Sequence, residues 1–183
     1  MSTYSLRPPG QRTVVITGAG RGLGLGLATR LAATGDRVIG TARRPEAAPE
    51  LAAVADRVIA LDVADDESIA AAASAVDDLD HIDVLINNAG IDARAVGVDA
   101  DARGPLDLGR ADFLAVLDVN AIGPLMVSRA LLPLLRAAEG ALVLNVSSQL
   151  GAHDLRPPWR ARHRLQRLEV GPQHGHRPHR HRA

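Results

Sequence analysis

Two residue types are missing outright from this chain of 183 residues: there is no cysteine, and the 21 basic residues are all arginine, with no lysine. Without cysteine there is no disulfide, no cysteine-ligated zinc and no thiol nucleophile. Without lysine there is no Walker phosphate loop, which needs Lys before Ser or Thr. Aromatic residues make up only 2% of the chain, so Ala, Val and Leu must fill the interior, and small-residue helices are expected to pack closely. Long apolar runs are also scarce. Residues 1–12 lack the apolar stretch of a signal peptide, and no later segment reads as long and apolar enough to span a bilayer. A cytoplasmic protein with no membrane partner is the expectation.

The formal net charge of zero hides a division. Residues 1–152 carry 13 arginines against 19 acidic residues, a net charge of −6. Residues 153–183 carry 8 arginines against Asp154 and Glu169, a net charge of +6, together with six of the seven histidines. The apolar share of 46% suffices for one domain with a real core. The expected organisation is an N-terminal arm over 1–12, a folded body over 13–152, and an Arg/His/Pro-rich tail over 153–183 with too little apolar content to order itself.

Glycine is plentiful near the start. Residues 13–27 read T-V-V-I-T-G-A-G-R-G-L-G-L-G-L: Val14 to Thr17 form an uncharged, buried strand, and the glycines at 18, 20, 22 and 24 form a turn that feeds a helix. Such a turn aims backbone N–H groups and the positive end of a helix dipole at one point, which suits a phosphate. The spacing is not the G-x-G-x-x-G dinucleotide fingerprint.

Strand and helix patterns then alternate. Residues 23–33 read as a helix closed by Gly35, 37–43 as a second strand, and Pro45 opens the next helix. Residues 57–63 form a third strand, followed by an acidic helix start at Asp65, Asp66 and Glu67; 84–90 form a fourth. Residues 91–108 are a polar loop, 110–138 a long helix ended by Gly140, and 141–148 a fifth strand. This alternation predicts an α/β fold with a parallel sheet covered on both faces. In such a sheet ligands sit at the carboxyl ends of the strands. Those ends carry the glycine loop, Arg43, Asp62, Asn87 to Gly90, and Ser147-Ser148. Each also has a plainer reading: Asp62 as a helix cap, the Asn pair as a turn, the Ser pair as a strand terminus.

Taken in order, T-G-x-x-x-G-x-G (Thr17, Gly18, Gly22, Gly24), Asp62-Val63, N-N-A-G at 87–90, V-N-A around Asn120 and V-S-S at 146–148 closely resemble the short-chain dehydrogenase/reductase family over residues 13–152. The resemblance implies a Rossmann-type, doubly wound parallel sheet, ending here after its fifth strand. It implies an oxidoreductase that moves hydride between a nicotinamide cofactor and a small carbonyl or alcohol. It assigns cofactor binding to Thr17, Gly18, Arg21, Gly22, Leu23, Gly24, Arg43, Asp62, Val63, Asn88, Ala89 and Gly90, a proton relay through water to Asn120, and orientation of the substrate carbonyl to Ser148. Intact members associate into homo-oligomers through the long helix. For Asn120 there is an independent argument. Pro124, four residues on, has no N–H for the Asn120 carbonyl and so frees that oxygen for a water; a mere kink is the alternative.

Cofactor choice rests on charge. An NAD enzyme places Asp or Glu near the end of the second strand, where this chain has Thr41, Ala42, Arg43 and Arg44. Arg43 with Arg21 resembles the basic pair that receives the 2′-phosphate, so NADP(H) is expected over NAD(H), with unliganded surface arginines as the alternative.

The chain departs from the family after the fifth strand. The family's general acid or base is a Tyr with a Lys four residues on, whose charge lowers the Tyr pKa. Here the only Tyr is Tyr4 and there is no Lys; His163 and Arg167 have the spacing but stand among alternating Arg, His and Pro. Codon arithmetic suggests why. Reading the last two bases of each codon with the first of the next permits Tyr from Leu165-Gln166 and only Lys or Arg from Glu169-Val170, and the stretch can spell Tyr-Asn-Ala-Ser-Lys. A frame change between about residues 155 and 159 is therefore expected, leaving the fifth strand as an uncovered apolar edge and catalysis impaired. Three functions compete: an impaired NADP-dependent oxidoreductase, a cofactor-binding remnant without catalysis, and, least favoured, a tail that binds nucleic acid or holds metal through His174, His176, His179 and His181. No metal site is assigned in the body.

Overall fold

The structure is a computed structural model, and it describes residues 5–92, 95 and 109–147. Five parallel strands, β1 (Thr13–Ile16), β2 (Arg37–Ala42), β3 (Arg57–Ala60), β4 (Val84–Asn87) and β5 (Leu142–Asn145), lie in the order β3-β2-β1-β4-β5. Between them run α1 (Gly22–Ala33), a 3₁₀ turn (Pro45–Ala47) with α2 (Pro49–Ala52), α3 (Asp66–Ser74), and α4 (Arg110–Leu117), α5 (Gly123–Ala130) and α6 (Leu132–Ala137). The chain leaves β1 toward β2 and β3 on one side and returns to place β4 on the other, so the order reverses between β1 and β4.

Alternation along β1 separates the two layers. Val14 and Ile16 join Val38, Val84 and Ile86 under Ala28 of α1 and Leu51 of α2. Val15 joins Ile39 and Leu85 under Ile69 of α3 and Val127 of α5. The sheet is thus buried on both faces at its centre, as an uncharged strand of β-branched residues requires. Gly35 stands just past the end of α1 with φ +89°, its N–H donating to Ala32, which is the expected glycine stop.

Several elements are shorter than the sequence suggested. β1 ends one residue earlier than expected, at Ile16, and β4 ends at Asn87, where the Thr17 hydroxyl accepts the Asn88 N–H; β3 ends at Ala60, two residues before Asp62, whose N–H goes to Ser68 Oγ. The second helix is a 3₁₀ turn and a single turn of α-helix, each begun by a proline. The long helix expected over 110–138 is broken twice. A π turn over Asp118–Ile122, in which the Gly123 N–H donates to the Asp118 carbonyl, precedes Pro124, and a second break falls at Leu131 before Pro133. Both follow from prolines that cannot complete an i→i−4 bond.

One expectation is corrected. Arg110–Ala130 is 21 residues of helix containing an 18-residue stretch of mean hydropathy 1.4, long and apolar enough by length and composition to cross a membrane. The sequence reading missed it because Asp112, Asp118 and Arg129 punctuate the run. Phe113, Leu114, Leu117, Ile122 and Leu125 on it are exposed. Among the described residues β5 pairs with β4 alone, and Leu142, Val143 and Leu144 are each more than 40% exposed, in keeping with the expected apolar edge.

Candidate active site: a nucleotide cleft at the carboxyl rim

The glycine loop is built by close approaches. Gly18 has φ +64°, and a Cβ there would lie 2.9 Å from Ala89 Cα. A Cβ on Gly24 would lie 2.5 Å from both Asn88 Nδ2 and the Gly18 carbonyl. Only glycine lets α1 begin this near the end of β4. The α1 N-terminus has no side-chain cap and no acidic residue in its first turn. Its first N–H groups, outside the helical ladder, retain their pull on an anion.

Thr17 is buried beneath this loop and ties β1 to β4. Its hydroxyl accepts the N–H groups of Asn88 and Ala89, each at 3.0 Å. Asn88 Nδ2 donates in return to the carbonyls of Thr17 (2.9 Å) and Gly18 (3.0 Å). Asn88 therefore does not serve its own turn. It holds two loops together across the point where strand order reverses. From the β2 side, the Thr41 carbonyl accepts the Ala19 N–H at 2.7 Å, and its hydroxyl accepts the Gly18 N–H at 3.3 Å. Thr41 is a positioning residue that sequence reasoning passed over; its place at the end of β2, beside the loop, was the available signal.

These contacts enclose an open cleft of about 640 Å³ along the carboxyl rim. Of the twelve residues assigned to cofactor binding, Gly18, Arg21, Gly22, Leu23, Gly24, Arg43, Asp62, Val63, Asn88, Ala89 and Gly90 line it, and Thr17 lies beneath. Arg44, Ile91 and Val119 also line it and carried no sequence assignment. Asp62 does not cap α3. Asp65 does, accepting the N–H groups of Glu67 and Ser68, while Asp62 accepts from Ala64 and its own N–H is held by Ser68 Oγ. Its carboxylate thus stands on the cleft wall.

Asn120 lies within the π turn, and its side chain clamps the main chain of Ile91. Oδ1 accepts the Ile91 N–H and Nδ2 donates to the Ile91 carbonyl, both at 2.8 Å. The side chain is therefore occupied in fixing the loop after β4. Ser148 lies outside the described residues, as do residues 153–183 with His163, Arg167, His174, His176, His179 and His181. Among the described residues no group of three or more His, Asp or Glu could hold a metal ion.

A parallel sheet of order 3-2-1-4-5, with a glycine-rich helix start at the reversal and a cleft running across it, defines a doubly wound dinucleotide-binding domain. The comparisons narrow this class. Residues 12–157 match the short chain dehydrogenase family, and the chain belongs to that family of oxidoreductases. It is 39% identical over 138 residues to Oxidoreductase BOA17 of Botryotinia fuckeliana, covering 73% of this chain and 47% of that protein. Among solved structures it resembles 3-ketoacyl-(acyl-carrier-protein) reductase from Brucella melitensis, complexed with NADH (28% identity, TM-score 0.62, 75% of this chain and 57% of that one). It also resembles RhlG of Pseudomonas aeruginosa in an NADP active-site complex (29% identity, TM-score 0.63, 75% and 54%). The chain spans about half the length of the curated relatives it matches.

Proposed function

We propose that this chain binds NADP(H) in preference to NAD(H) and derives from an enzyme that moves hydride between nicotinamide and a small carbonyl or alcohol. The observation that carries the cofactor reading is the charge of the cleft. Arg21, Arg43 and Arg44 line it, and residues 41–44 at the end of β2 include no carboxylate to take the ribose hydroxyls. The cleft fits a nicotinamide dinucleotide: its volume lies in the range of cofactor pockets, about 300 to 1,000 Å³, and the close-packed glycines leave room for a pyrophosphate on the uncapped helix start. Bound there, the cofactor would supply hydride chemistry. The chain's own residues bind it and hold its surroundings: Thr17 and Asn88 lock the two loops, Asp62 and Val63 stand at the adenine side, and Asn120 fixes the loop at Ile91. Ser148 remains the proposed carbonyl-orienting group.

We also propose that turnover is impaired. No Tyr-x-x-x-Lys exists to donate the proton, and the family match ends at residue 157, within the interval where the reading frame is inferred to change. This supports a second reading, cofactor binding without catalysis. Self-association through exposed Phe113, Leu114, Leu117 and Leu125 belongs to the same proposal.

Titration of the purified chain with NADPH and NADH tests the cofactor reading. Tighter binding of NADPH, lost in Arg43→Ala, is expected; equal affinity removes the reading. Carbonyl-dependent NADPH oxidation at rates usual for the family would overturn the impairment.

A further inference from the structure

Asn87 begins the N-N-A-G segment but does not line the cleft. It is 3% exposed, and its amide nitrogen meets three acceptors from two other elements: Asn145 Oδ1 of β5 at 2.8 Å, Ser128 Oγ of α5 at 3.2 Å and, at 3.5 Å, the Pro124 carbonyl of α5. The Ser128 hydroxyl spends its own proton on the Pro124 carbonyl at 2.6 Å, so toward Asn87 it can only accept. Since Ser128 Oγ and the Pro124 carbonyl can here only accept, the amide turns its nitrogen to them, and Asn145 meets it with its oxygen. Its oxygen is buried without a donor among the described residues, so the side chain is held through the nitrogen alone.

The register isolates this group further. The β4–β5 pairs are Val84 with Leu142, Leu85 with Val143, Ile86 with Leu144 and Asn87 with Asn145. Three are apolar and the last is a pair of amides, placed where both strands end. Val146 N–H then donates to the Asn87 carbonyl at 2.9 Å, so main chain and side chain of one residue fasten the end of β5. A buried amide costs free energy that an apolar pair would not, and what it adds is direction. Here it ties the ends of β4 and β5 and the start of α5 into one arrangement.

A dinucleotide bound across the reversal lays one nucleotide over β1-β2-β3 and the other over β4-β5. We propose that Ser128 and Asn145 are positioning residues for the second, nicotinamide half. Acting through Asn87, they set the carboxyl ends of β4 and β5, and hence Asn88 and Ala89, while the adenosine half does not depend on them. This rests on the cofactor reading above.

The test uses the full chain and two probes: 2′,5′-ADP, which reports the first half alone, and NADPH, whose nicotinamide fluorescence reports the second. Asn145→Leu is expected to bind 2′,5′-ADP as the unaltered chain does, to bind NADPH about fivefold more weakly, the worth of one hydrogen bond, and to lose the fluorescence enhancement. Asn145→Asp, which keeps an acceptor oxygen, restores both. Ser128→Ala acts in the same direction and Ser128→Thr restores it, and this pair carries the test if Asn145→Leu does not fold. Unchanged nicotinamide fluorescence in the Leu and Ala variants, or equal weakening of both probes, overturns the inference. Failure of the unaltered chain to bind either probe overturns the cofactor reading, and the inference with it.

Discussion

The two rims of this sheet are built on opposite principles. At the amino rim, charge is buried and answered. Asp36 is 4% exposed and accepts the N–H groups of Gly10 (2.7 Å) and Arg12 (3.2 Å) and the Arg12 guanidinium. Asp83, wholly buried, accepts the Thr13 N–H at 2.8 Å and has Arg7 and His81 within 3.2 Å, the Arg7 contact being one of charge without the alignment of a hydrogen bond. At the carboxyl rim, Arg21, Arg43 and Arg44 are exposed and in no ion pair with a described carboxylate, and the glycines offer main-chain N–H groups. The difference teaches where each kind of free energy is placed. Paired charges at one end hold the strands, and at the other the charges stand exposed along the cleft.

Removing a carboxylate from the amino rim sharpens this contrast most. Asp36→Ala leaves the partly buried Arg12 and two N–H groups without an acceptor and is expected to cost about 3 kcal/mol in a denaturant melt, with NADPH affinity of the folded fraction unchanged. Loss of affinity alongside stability would show that the rims are coupled. At the other rim, Gly24→Ala drives a methyl group into Asn88 and the Gly18 carbonyl. It should weaken NADPH binding about tenfold or more by titration while the melting temperature falls far less than in Asp36→Ala.

Acid should act on the amino rim alone. The hydrogen bond from Arg12, aided by the Gly10 and Arg12 N–H groups, holds the Asp36 carboxyl below its ordinary value of 3.8 against the opposing effect of burial. A depressed pKa contributes stability that is present above the unfolded value and lost as pH falls through the folded one. Melting temperature should therefore drop below about pH 4, and Asp36→Asn should show a shallower drop. An equally steep acid limb in that variant would place the sensitivity elsewhere. Asp78, held to about 2 by Arg57 at an exposed site, adds little.

The smallest effect is a gain. Gly26, exposed in the middle of α1, would meet nothing within 4 Å if it carried a Cβ, unlike Gly24 one half-turn earlier. Gly26→Ala should raise stability by about 0.5 to 1 kcal/mol and leave NADPH binding alone. A fall in affinity would extend the glycine requirement beyond the loop.

The strands and their order of use were legible because uncharged runs of Val, Ile and Leu alternate with Ala-rich helical stretches, and period is a local property. The glycine loop, the polar residues closing each strand and the missing Tyr and Lys were legible for the same reason. The identity of the α3 cap was not. Asp62 and Asp65 both suit that role by residue type, and only the turn between them sends one to Glu67 and Ser68 and the other to the cleft wall. Nor was the clamp of Asn120 on Ile91, 29 residues away in sequence, or the meeting of Asn87 with Ser128 and Asn145 across 41 and 58 residues. Sequence alone determined which residues face the carboxyl rim, since strand direction and period do so without reference to partners. Which of them touch was decided by the tertiary structure, because hydrogen bonds between distant segments exist only once the sheet order has brought β1, β4 and β5 side by side.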